Sequence, residues 1–469
     1  MDNSKLVILL KTLDSKELRA FKDFVASPFF NKNEELVLFY AYLKKIAPEF
    51  PLKKIQREAV YKAVFPQHSY DEKHLNYLMS FLLKLAEQFI GYQKYKQDGI
   101  LPEYHLLAAA IDRDLEKSYA NIYSKTQQKL HQNPHRGHNF YYQRYLLSSI
   151  ANTNFLKKKI RKYDKNIQEA SDNFDVYYLC KKLKYACEIL DRQKTLSVKY
   201  ELKLIEELSI YLAQHPHDTI PHIAIYHQIY LTLTQTDGDK HFVQLKNLIN
   251  AHGDKIELNE RKQMYYYALN FCVRATRQNE EKYLEESLAL YLNGIKSGLL
   301  FENNHLSPWT FKNTVKAGLR LKRYDWTEQF ILRYAQDIAE EFRMNALNYN
   351  LADLHYYKKD FQVAQDYLQQ VAFTDIFYTL NSKMMLLKIY YETNEEEALY
   401  SLVASFRVFL KRNKLISKTV RDAYLNFIKM LQQLMKRESK SLDTLKQSMT
   451  TLPTLTSRNW LLQQIQKIK

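Results

Sequence analysis

Histidine is the residue type of this chain best suited to binding a metal ion, and it occurs in two clusters. These are His131, His135 and His138, and then His215, His217 and His222. Neutral imidazole is a good zinc ligand, and an H-x-H pair can supply two of the ligands. Both clusters lie in proline-containing stretches without a nearby cysteine, and the motif H-E-x-x-H is missing from the sequence. We therefore expect loop histidines and no metal site.

The other reactive residue types also fail to form a catalytic pattern. Cys180, Cys187 and Cys272 are too few for a disulfide framework or a four-thiolate zinc site, and we expect buried free thiols. Neither G-x-G-x-x-G nor G-x-x-x-x-G-K-[ST] occurs, so a conventional nucleotide site is not expected. No nucleophile, base and orienting group follow one another in a detectable order. The sequence predicts no catalytic residue, no cofactor and no enzyme; an enzyme with an unrecognised site is one alternative.

The composition indicates which elements position these residues. The chain of 469 residues has 46% hydrophobic and 26% charged residues but only 8 Gly and 10 Pro. Hairpin and sheet folds need many turn residues, so this scarcity favours long helices joined by short links. Only five apolar residues, from Leu6 to Leu10, follow the N-terminus, fewer than the about 7–15 of a secretory signal. No apolar run reaches the roughly 18 residues of a membrane span. We expect a soluble, cytoplasmic, all-α protein.

The net charge of +17 is concentrated in two segments. Residues 151–200 carry 12 Lys and Arg against 6 Asp and Glu, and residues 401–469 carry 14 against 3. A basic surface favours acidic partners, whether protein, nucleic acid or an anionic membrane surface. The clearest basic run is predicted to lie on one helix, opposite an apolar face of Leu156, Ile160, Tyr163 and Ile167. Its residues are candidates for partner binding: Lys157, Lys158, Lys159, Arg161 and Lys162.

The first 98 residues are predicted to form a helical N-terminal module. Asp14 with Glu17, and Asp71, are predicted to begin two helices, the second carrying an apolar stripe from Leu75 to Phe89. Residues 55–85 loosely resemble the helix-turn-helix half of winged-helix activators. That resemblance implies that Lys73, His74, Asn76 and Tyr77 would face a DNA groove. A protein-interaction module is the other interpretation.

From about residue 103 to residue 469 the sequence alternates helices with short polar turns. The last three predicted turns, at residues 322–325, 358–360 and 393–394, are about 35 residues apart. Earlier turns are predicted at residues 133–137, 191–193, 236–239 and 277–279. A period in this range is typical of a helical solenoid.

The repeat is clearest over residues 345–410. When residues 351–371 are aligned with the stretch 34 residues later, Tyr356 pairs with Tyr390 and Ala364 with Ala398. This pattern resembles the tetratricopeptide repeat, which has an apolar residue at position 7, a small one at position 8 and Ala at position 20. With Asn345 as position 1, the chain has Leu351, Ala352 and Ala364 there. The resemblance implies a right-handed α–α superhelix of stacked hairpins.

Tyrosine is the most unusual component, at 37 of 469 residues and often in adjacent pairs. Because Tyr356 and Tyr390 recur at equivalent repeat positions, we favour helix packing for such pairs, with a peptide- or base-stacking surface as the alternative. The resulting hypothesis is a non-catalytic adaptor that binds a protein or peptide partner through its helical repeats, with Tyr356 and Tyr390 among the candidate contacts. The alternative hypothesis is a nucleic-acid-associated regulator that uses the basic faces at residues 157–184 and 407–440.

Overall fold

The computed structural model of this chain is helical almost throughout, which confirms the predicted all-α class. It describes residues 1–159, 161–195, 199–235, 238–277, 282–371, 376–436 and 442–468. Two compact units are present, one formed by Met1–Glu188 with Glu201–Ala224 and the other by Ile189–Tyr200 with Ile225–Lys469. Among the described residues, no helix is both long enough and apolar enough to cross a membrane.

The first unit is built from nine complete helices, most of a tenth and the start of an eleventh, among the residues that the structure describes. They are α1 (Lys5–Lys11), α2 (Ser15–Ala26), α3 (Glu34–Ile46), α4 (Arg57–Val64), α5 (Glu72–Gln97), α6 (Leu101–Asp112), α7 (Glu116–His131), α8 (His138–Lys157), α9 (Lys165–Thr195), α10 (Ile205–Gln214) and α11 (Pro221–Thr234). The boundary between the units falls within α9 and α11. One buried apolar cluster joins α1 to α5 and a second joins α6 to α8. The first cluster lies within the predicted module of residues 1–98, and the domain boundary near residues 99–102 stays a prediction.

The second unit continues with twelve helices and one small hairpin of strands in its described part. They are α12 (Gly238–His252), α13 (Leu258–Arg277), α14 (Lys282–Lys296), β1 (Phe301–Glu302), β2 (His305–Leu306), α15 (Pro308–Arg320), α16 (Tyr324–Tyr334), α17 (Glu340–Lys358), α18 (Phe361–Gln369), α19 (Ile376–Glu392), α20 (Glu396–Arg412), α21 (Lys418–Met435), α22 (Leu442–Thr451) and α23 (Arg458–Ile468). A large buried cluster joins α19 to α23.

Two predicted helix starts in the first unit are confirmed. The Asp14 carboxylate accepts hydrogen bonds from the amides of Lys16 and Glu17, and the Glu17 carboxylate accepts one from the Asp14 amide. This reciprocal capping box satisfies amides that have no partner within the helix. Asp71 caps α5 by accepting from the amides of Lys73 and His74. The sequence therefore fixes both helix starts through short-range hydrogen bonds.

Three helical hairpins of the second unit, α15–α16, α17–α18 and α19–α20, reverse the chain in the same way. Each first helix is followed by a residue in the left-handed region, namely Lys322, Lys359 and Asn394, with φ of 60°, 70° and 58°. In each case the next amide donates to the carbonyl five residues earlier, at distances of 2.9–3.0 Å. This Schellman arrangement satisfies the last carbonyls of a helix and reverses the chain within a few residues. The three turns predicted nearest the repeat are thus confirmed.

Small residues let the paired helices approach closely. Ala352 of α17 and Ala364 of α18 are fully buried in the middle hairpin. Gly318 of α15 lies 34 residues before Ala352. A Cβ atom at Gly318 would lie 2.5 Å from the Thr327 hydroxyl and 2.8 Å from the Trp326 ring on α16, so a larger residue would push these helices apart. The first helices α15, α17 and α19 also contact one another in that order.

Some predicted turns differ from the structure. The turn predicted at residues 191–193 is wrong, because α9 continues without a break to Thr195. The hairpin of β1 and β2 was not predicted; it pairs Phe301 with Leu306 through a turn in which Asn303 and Asn304 have positive φ. Asparagine tolerates this conformation better than most residues, which suits a two-residue hairpin turn. The turns predicted at residues 236–239 and 277–279 include residues 236, 237, 278 and 279, which lie outside the described residues.

The packing of the middle hairpin gives a stability prediction. Ala364→Leu would force three extra carbon atoms between α17 and α18, so we expect the free energy of unfolding to fall by about 1–3 kcal/mol. The matched control is Ala398→Leu, 34 residues later, at a partly exposed site where we expect a smaller loss. Urea titration followed by tryptophan fluorescence measures both, because all three tryptophans, Trp309, Trp326 and Trp460, lie in the second unit. Equal losses in the two variants would contradict close packing at Ala364.

Candidate functional site

A buried aspartate on α17 is the starting point of the candidate site. The Asp353 side chain is only 2% exposed, and both of its carboxylate oxygens accept from the Lys316 amino group, at 2.9 and 2.7 Å. Lys316 lies on α15, the neighbouring first helix of the preceding hairpin. A buried carboxylate costs several kcal/mol of desolvation unless it is paired, so this ion pair links α15 to α17. Burial alone would lower the pKa of Lys316, but the Asp353 charge raises it overall.

A second buried carboxylate lies at the end of α19. The Glu392 side chain is 7% exposed and accepts from the Tyr356 hydroxyl at 2.9 Å, the Trp460 indole N–H at 2.9 Å and the Lys359 amino group at 2.8 Å. The Lys467 amino group lies 3.6 Å away. Burial acts to raise the pKa of Glu392, but these hydrogen bonds outweigh it and hold the pKa below its ordinary value. Glu392 thereby connects α17, α19 and α23.

Lys388 lies one helical turn before Glu392 and differs from the other lysines nearby. Its amino group lies 5.7 Å from the centre of the Trp460 ring. It forms no hydrogen bond or ion pair with any of the residues that the structure describes. Burial, and then the nearby charge of Lys316, lower the pKa of Lys388 from 10.5 to about 8, and the charges of Asp353 and Glu392 offset this only in part. A largely buried ammonium group without an ion-pair partner is costly for stability.

We name this group the lysine–carboxylate cluster: Lys316, Asp353, Lys388 and Glu392, with Lys359 and Lys467 at Glu392. Four lysines face two carboxylates, so the cluster carries an excess of positive charge. Lys316 and Lys467 keep 43% and 60% of their side-chain surface exposed, so the cluster is accessible from solvent. Such an arrangement can bind a carboxylate or phosphate group. No group of three or more histidine, cysteine, aspartate or glutamate side chains that could hold a metal ion is found among the described residues.

Tyrosine rings form the apolar walls around these charges. The Lys316 amino group lies 5.1 Å from the centre of the Tyr357 ring, and Tyr349 packs edge-on against Tyr378 at 5.3 Å. Burial raises the pKa of Tyr349 and of Tyr357, so both phenols remain neutral. Neutral rings reduce the effective dielectric around the cluster and strengthen its charge interactions.

The two tyrosines predicted as partner contacts have different surroundings. Tyr356 belongs to the cluster through its hydrogen bond to Glu392, and its ring packs edge-on against Tyr357. Tyr390 is partly buried and packs against the apolar cluster of α19 to α23. Both positions show the combination of a packed ring and a polar hydroxyl that the packing interpretation describes. Their role in binding a partner stays a prediction.

The basic run at residues 157–162 does not have the conformation that the sequence predicted. The expectation that it lies along one helix is wrong: α8 ends at Lys157, Lys158 caps it, and Lys159 has a positive φ of 53°. The predicted apolar face is not buried either, with Tyr163 82% exposed, and Ile160 lies outside the described residues. The remaining candidates, Arg161 and Lys162, are exposed in the segment before α9.

Two lysines of the run have partners within the first unit. Lys157 donates to the Ile111 carbonyl at the end of α6 and pairs with Asp114 at 2.7 Å. Lys158 pairs with Glu116 at 3.2 Å. A lysine at the end of a helix stabilises its unpaired carbonyls and its negative dipole end. These two lysines therefore have a structural role, whether or not they also bind a partner.

The basic face predicted at residues 407–440 lies on α20 and α21, and residues 437–440 lie outside the described residues. Arg407 donates to the Gln432 side chain at 2.6 Å, and Arg421 donates to the carbonyls of Asn413 and Ile416. The interleaved residues Leu410 and Phe427 are fully buried. This part of the chain supplies the apolar cluster of α19 to α23.

Two of the four residues suggested to face DNA are held by the N-terminal module itself. The His74 ring lies 3.1 Å from the Glu35 carboxylate and 3.0 Å from the Tyr61 hydroxyl. The Asn76 side chain accepts from Arg57 at 2.8 Å. Tyr77 is exposed and packs against Phe81, and Lys73 is exposed.

Sequence reasoning missed the four charged residues at the centre of the cluster. A signal was available, because Lys388 interrupts the apolar run Met384–Tyr391, and Asp353 is flanked by Leu351, Ala352 and Leu354. A single charge on the apolar side of a helix requires a partner, whereas a charge on the polar side does not. The distant partner could not be identified, since Asp353 and Lys316 are 37 residues apart.

Comparison with known proteins identifies no relative. No family model, no curated protein and no solved structure matches the chain. The chemistry of the cluster is therefore the basis for a functional proposal.

The Lys316–Asp353 pair gives a prediction about charge compensation. Lys316→Met would leave the Asp353 carboxylate buried without its ion-pair partner. We expect the free energy of unfolding to fall by about 2–3 kcal/mol. This is the lower end of the range for breaking a buried ion pair, because Lys316 is partly exposed. The double variant Lys316→Met with Asp353→Leu should recover most of this loss, because it removes the orphaned charge. Urea titration with tryptophan fluorescence measures both. A single variant as stable as the native chain, or a double variant less stable than the single one, would refute the assignment.

Proposed function

We propose that the second unit is a tetratricopeptide-like array, wound as a right-handed α–α superhelix, that binds an acidic segment of a partner protein without catalysing a reaction. Two features support the architecture. The three hairpins α15–α16, α17–α18 and α19–α20 share one turn geometry, and their first helices contact each other in sequence. Repeats of this kind stack side by side and present a continuous surface for a partner.

The observation that carries the binding proposal is the state of Lys388. Its amino group forms no ion pair among the described residues, while Lys316 and Lys359 close by each form one. A partner carboxylate that reaches Lys388 would form such an ion pair and offset the desolvation of the amino group. Because α19 and the Trp460 ring already hold Lys388, little side-chain entropy remains to be lost on binding.

An acidic protein segment suits this site better than a nucleic acid does. A single carboxylate can contact Lys388 while Asp353 and Glu392 keep their own lysines, whereas a chain of phosphates would also meet those two negative charges. Nucleic acids gain affinity from many unpaired surface cations, and Lys157 and Lys158 of the basic run are already paired. We also propose that this chain and its partner are both cytoplasmic.

The binding test compares two lysines of the same helix. A fluorescein-labelled peptide of ten glutamates should bind the full chain, as measured by fluorescence anisotropy at pH 7 and low salt. Lys388→Met should weaken binding by about tenfold, since a charge-assisted hydrogen bond contributes about 1.5–3 kcal/mol. Lys383→Met is the matched control, because burial lowers the pKa of this lysine as well and its amino group lies 6.0 Å from the Phe409 ring, outside the cluster. We expect the control to bind as the native chain does.

Three outcomes would overturn the proposal. These are no binding of the peptide, equal binding by Lys388→Met and the native chain, or tighter binding of single-stranded or duplex DNA that depends on Arg161 and Lys162. The last outcome would support the nucleic-acid alternative.

A pH experiment separates lost function from lost folding. Because the pKa of Lys388 falls from 10.5 in the unfolded chain to about 8 in the folded one, the unfolded chain binds more protons between these values and stability rises with pH there. Lys388→Met removes this cost, so at pH 7 the variant should be more stable than the native chain by about 1–3 kcal/mol. The difference should shrink as the pH rises from 8 towards 10. Urea titrations at pH 7 and 9.5 measure it, and a Lys388→Met variant that is less stable at pH 7 contradicts the assignment.

A further inference from the structure

The first unit contains a cavity that the proposed function does not use. Its volume is about 300 Å³, and it lies between α7, α8 and the start of α9. Small-molecule sites in proteins have volumes of about 300–1,000 Å³, so this cavity has room for a small metabolite and not for a dinucleotide. The residues that line it include Tyr123, Arg136, Phe140, Arg144, Ser148 and Glu169.

Two arginines dominate the charge of this cavity. The guanidinium carbon of Arg136 lies 4.1 Å from the centre of the Phe140 ring and that of Arg144 lies 5.9 Å from the same centre, so both groups lie beside one aromatic ring of the cavity wall. Arg136 is held further by a hydrogen bond from its Nη2 to the His131 carbonyl, at 3.2 Å. In the part of the chain that the structure describes, neither arginine pairs with a carboxylate.

The other polar groups of the cavity wall are compatible with an anion bound near Arg136 and Arg144. Burial, and then the Cys180 thiol, raise the pKa of Tyr141, while the charges of Arg144 and Arg136 act to lower it, which places both guanidinium groups near this phenol. Ser148 is 5% exposed and lines the cavity, where its hydroxyl can donate a hydrogen bond to a ligand oxygen.

We propose that this cavity is a binding site for a small organic monophosphate, with the phosphate held by Arg136 and Arg144. A phosphate monoester carries about two negative charges at neutral pH and matches two guanidinium groups, whose planar donors suit its oxygens. Tyr123 and Phe140 provide apolar surface for the organic part, and Glu169 near Tyr123 can accept a hydrogen bond from a ligand hydroxyl or amine. This site is independent of the acidic-partner proposal, since every residue in it belongs to the first unit.

Ligand binding is tested with five probes by isothermal titration calorimetry on the full chain. Adenosine 5′-monophosphate and ribose 5-phosphate should bind, inorganic phosphate should bind more weakly, and adenosine should not bind. Acetate is the carboxylate probe and should bind more weakly than inorganic phosphate because it carries one charge. Arg136→Gln and Arg144→Gln should each weaken binding of the phosphate esters by about tenfold or more.

Two further variants keep the test independent of misfolding. Arg113→Gln is the matched control, an exposed arginine of the same unit that donates to the Ala109 carbonyl and lies outside the cavity, and it should leave binding unchanged. Glu169→Gln should strengthen phosphate binding by roughly twofold to tenfold, because it removes the cavity's negative charge. Damage to the fold cannot produce such a gain.

The proposal is overturned if neither phosphate ester binds at millimolar concentration, or if adenosine binds as tightly as its monophosphate. Binding that persists unchanged when both Arg136 and Arg144 are replaced by glutamine would also overturn it. The outcome leaves the acidic-peptide experiment unaffected.

Discussion

The hairpins α15–α16, α17–α18 and α19–α20 depend on one constraint: each first helix must satisfy its last carbonyls while the chain reverses. Lys322, Lys359 and Asn394 meet this constraint by adopting a left-handed conformation that costs an L-residue about 1 kcal/mol relative to glycine. The reversal brings the next helix back at once, and the small residues Gly318 and Ala364 let it approach. The side-by-side order of α15, α17 and α19 follows from the repetition of this single turn.

That order places charged residues of successive hairpins within reach of one another. The Asp353 carboxylate accepts a hydrogen bond from Lys316 on the preceding first helix. The Glu392 carboxylate accepts from Tyr356 and Lys359 on the preceding hairpin. Pairs of this type contribute little net stability compared with apolar residues of the same size, but removing one partner is costly. Each of these contacts joins one hairpin to the next, so the position of the hairpins decides whether each buried carboxylate has its partners. Lys388 is the exception within this arrangement, because it forms no ion pair among the described residues.

Local signals in the sequence were sufficient for much of the fold. The low glycine and proline content indicated helices, Asp14 and Asp71 marked two helix starts, and the turns near Lys322, Lys359 and Asn394 were placed correctly. The unbroken course of α9 through Asp191 was not anticipated, because a polar stretch is as suitable for an exposed helix as for a turn. The same ambiguity affected Lys157 to Lys162, where helical charge patterning was assumed beyond the actual end of α8. The candidate site was beyond sequence reasoning, since it depends on partners 33–68 residues apart.

Lys359 has two roles that together couple local and tertiary structure. Its backbone adopts the left-handed conformation that reverses the chain after α17, and its amino group pairs with Glu392 at the end of α19. Glycine at position 359 would adopt the left-handed conformation at a lower cost, but it would remove the amino group that pairs with Glu392. One role therefore cannot be improved in this way without loss of the other. The residue that reverses the chain after α17 is thus also a contact between this hairpin and the next one, so a substitution there acts on both.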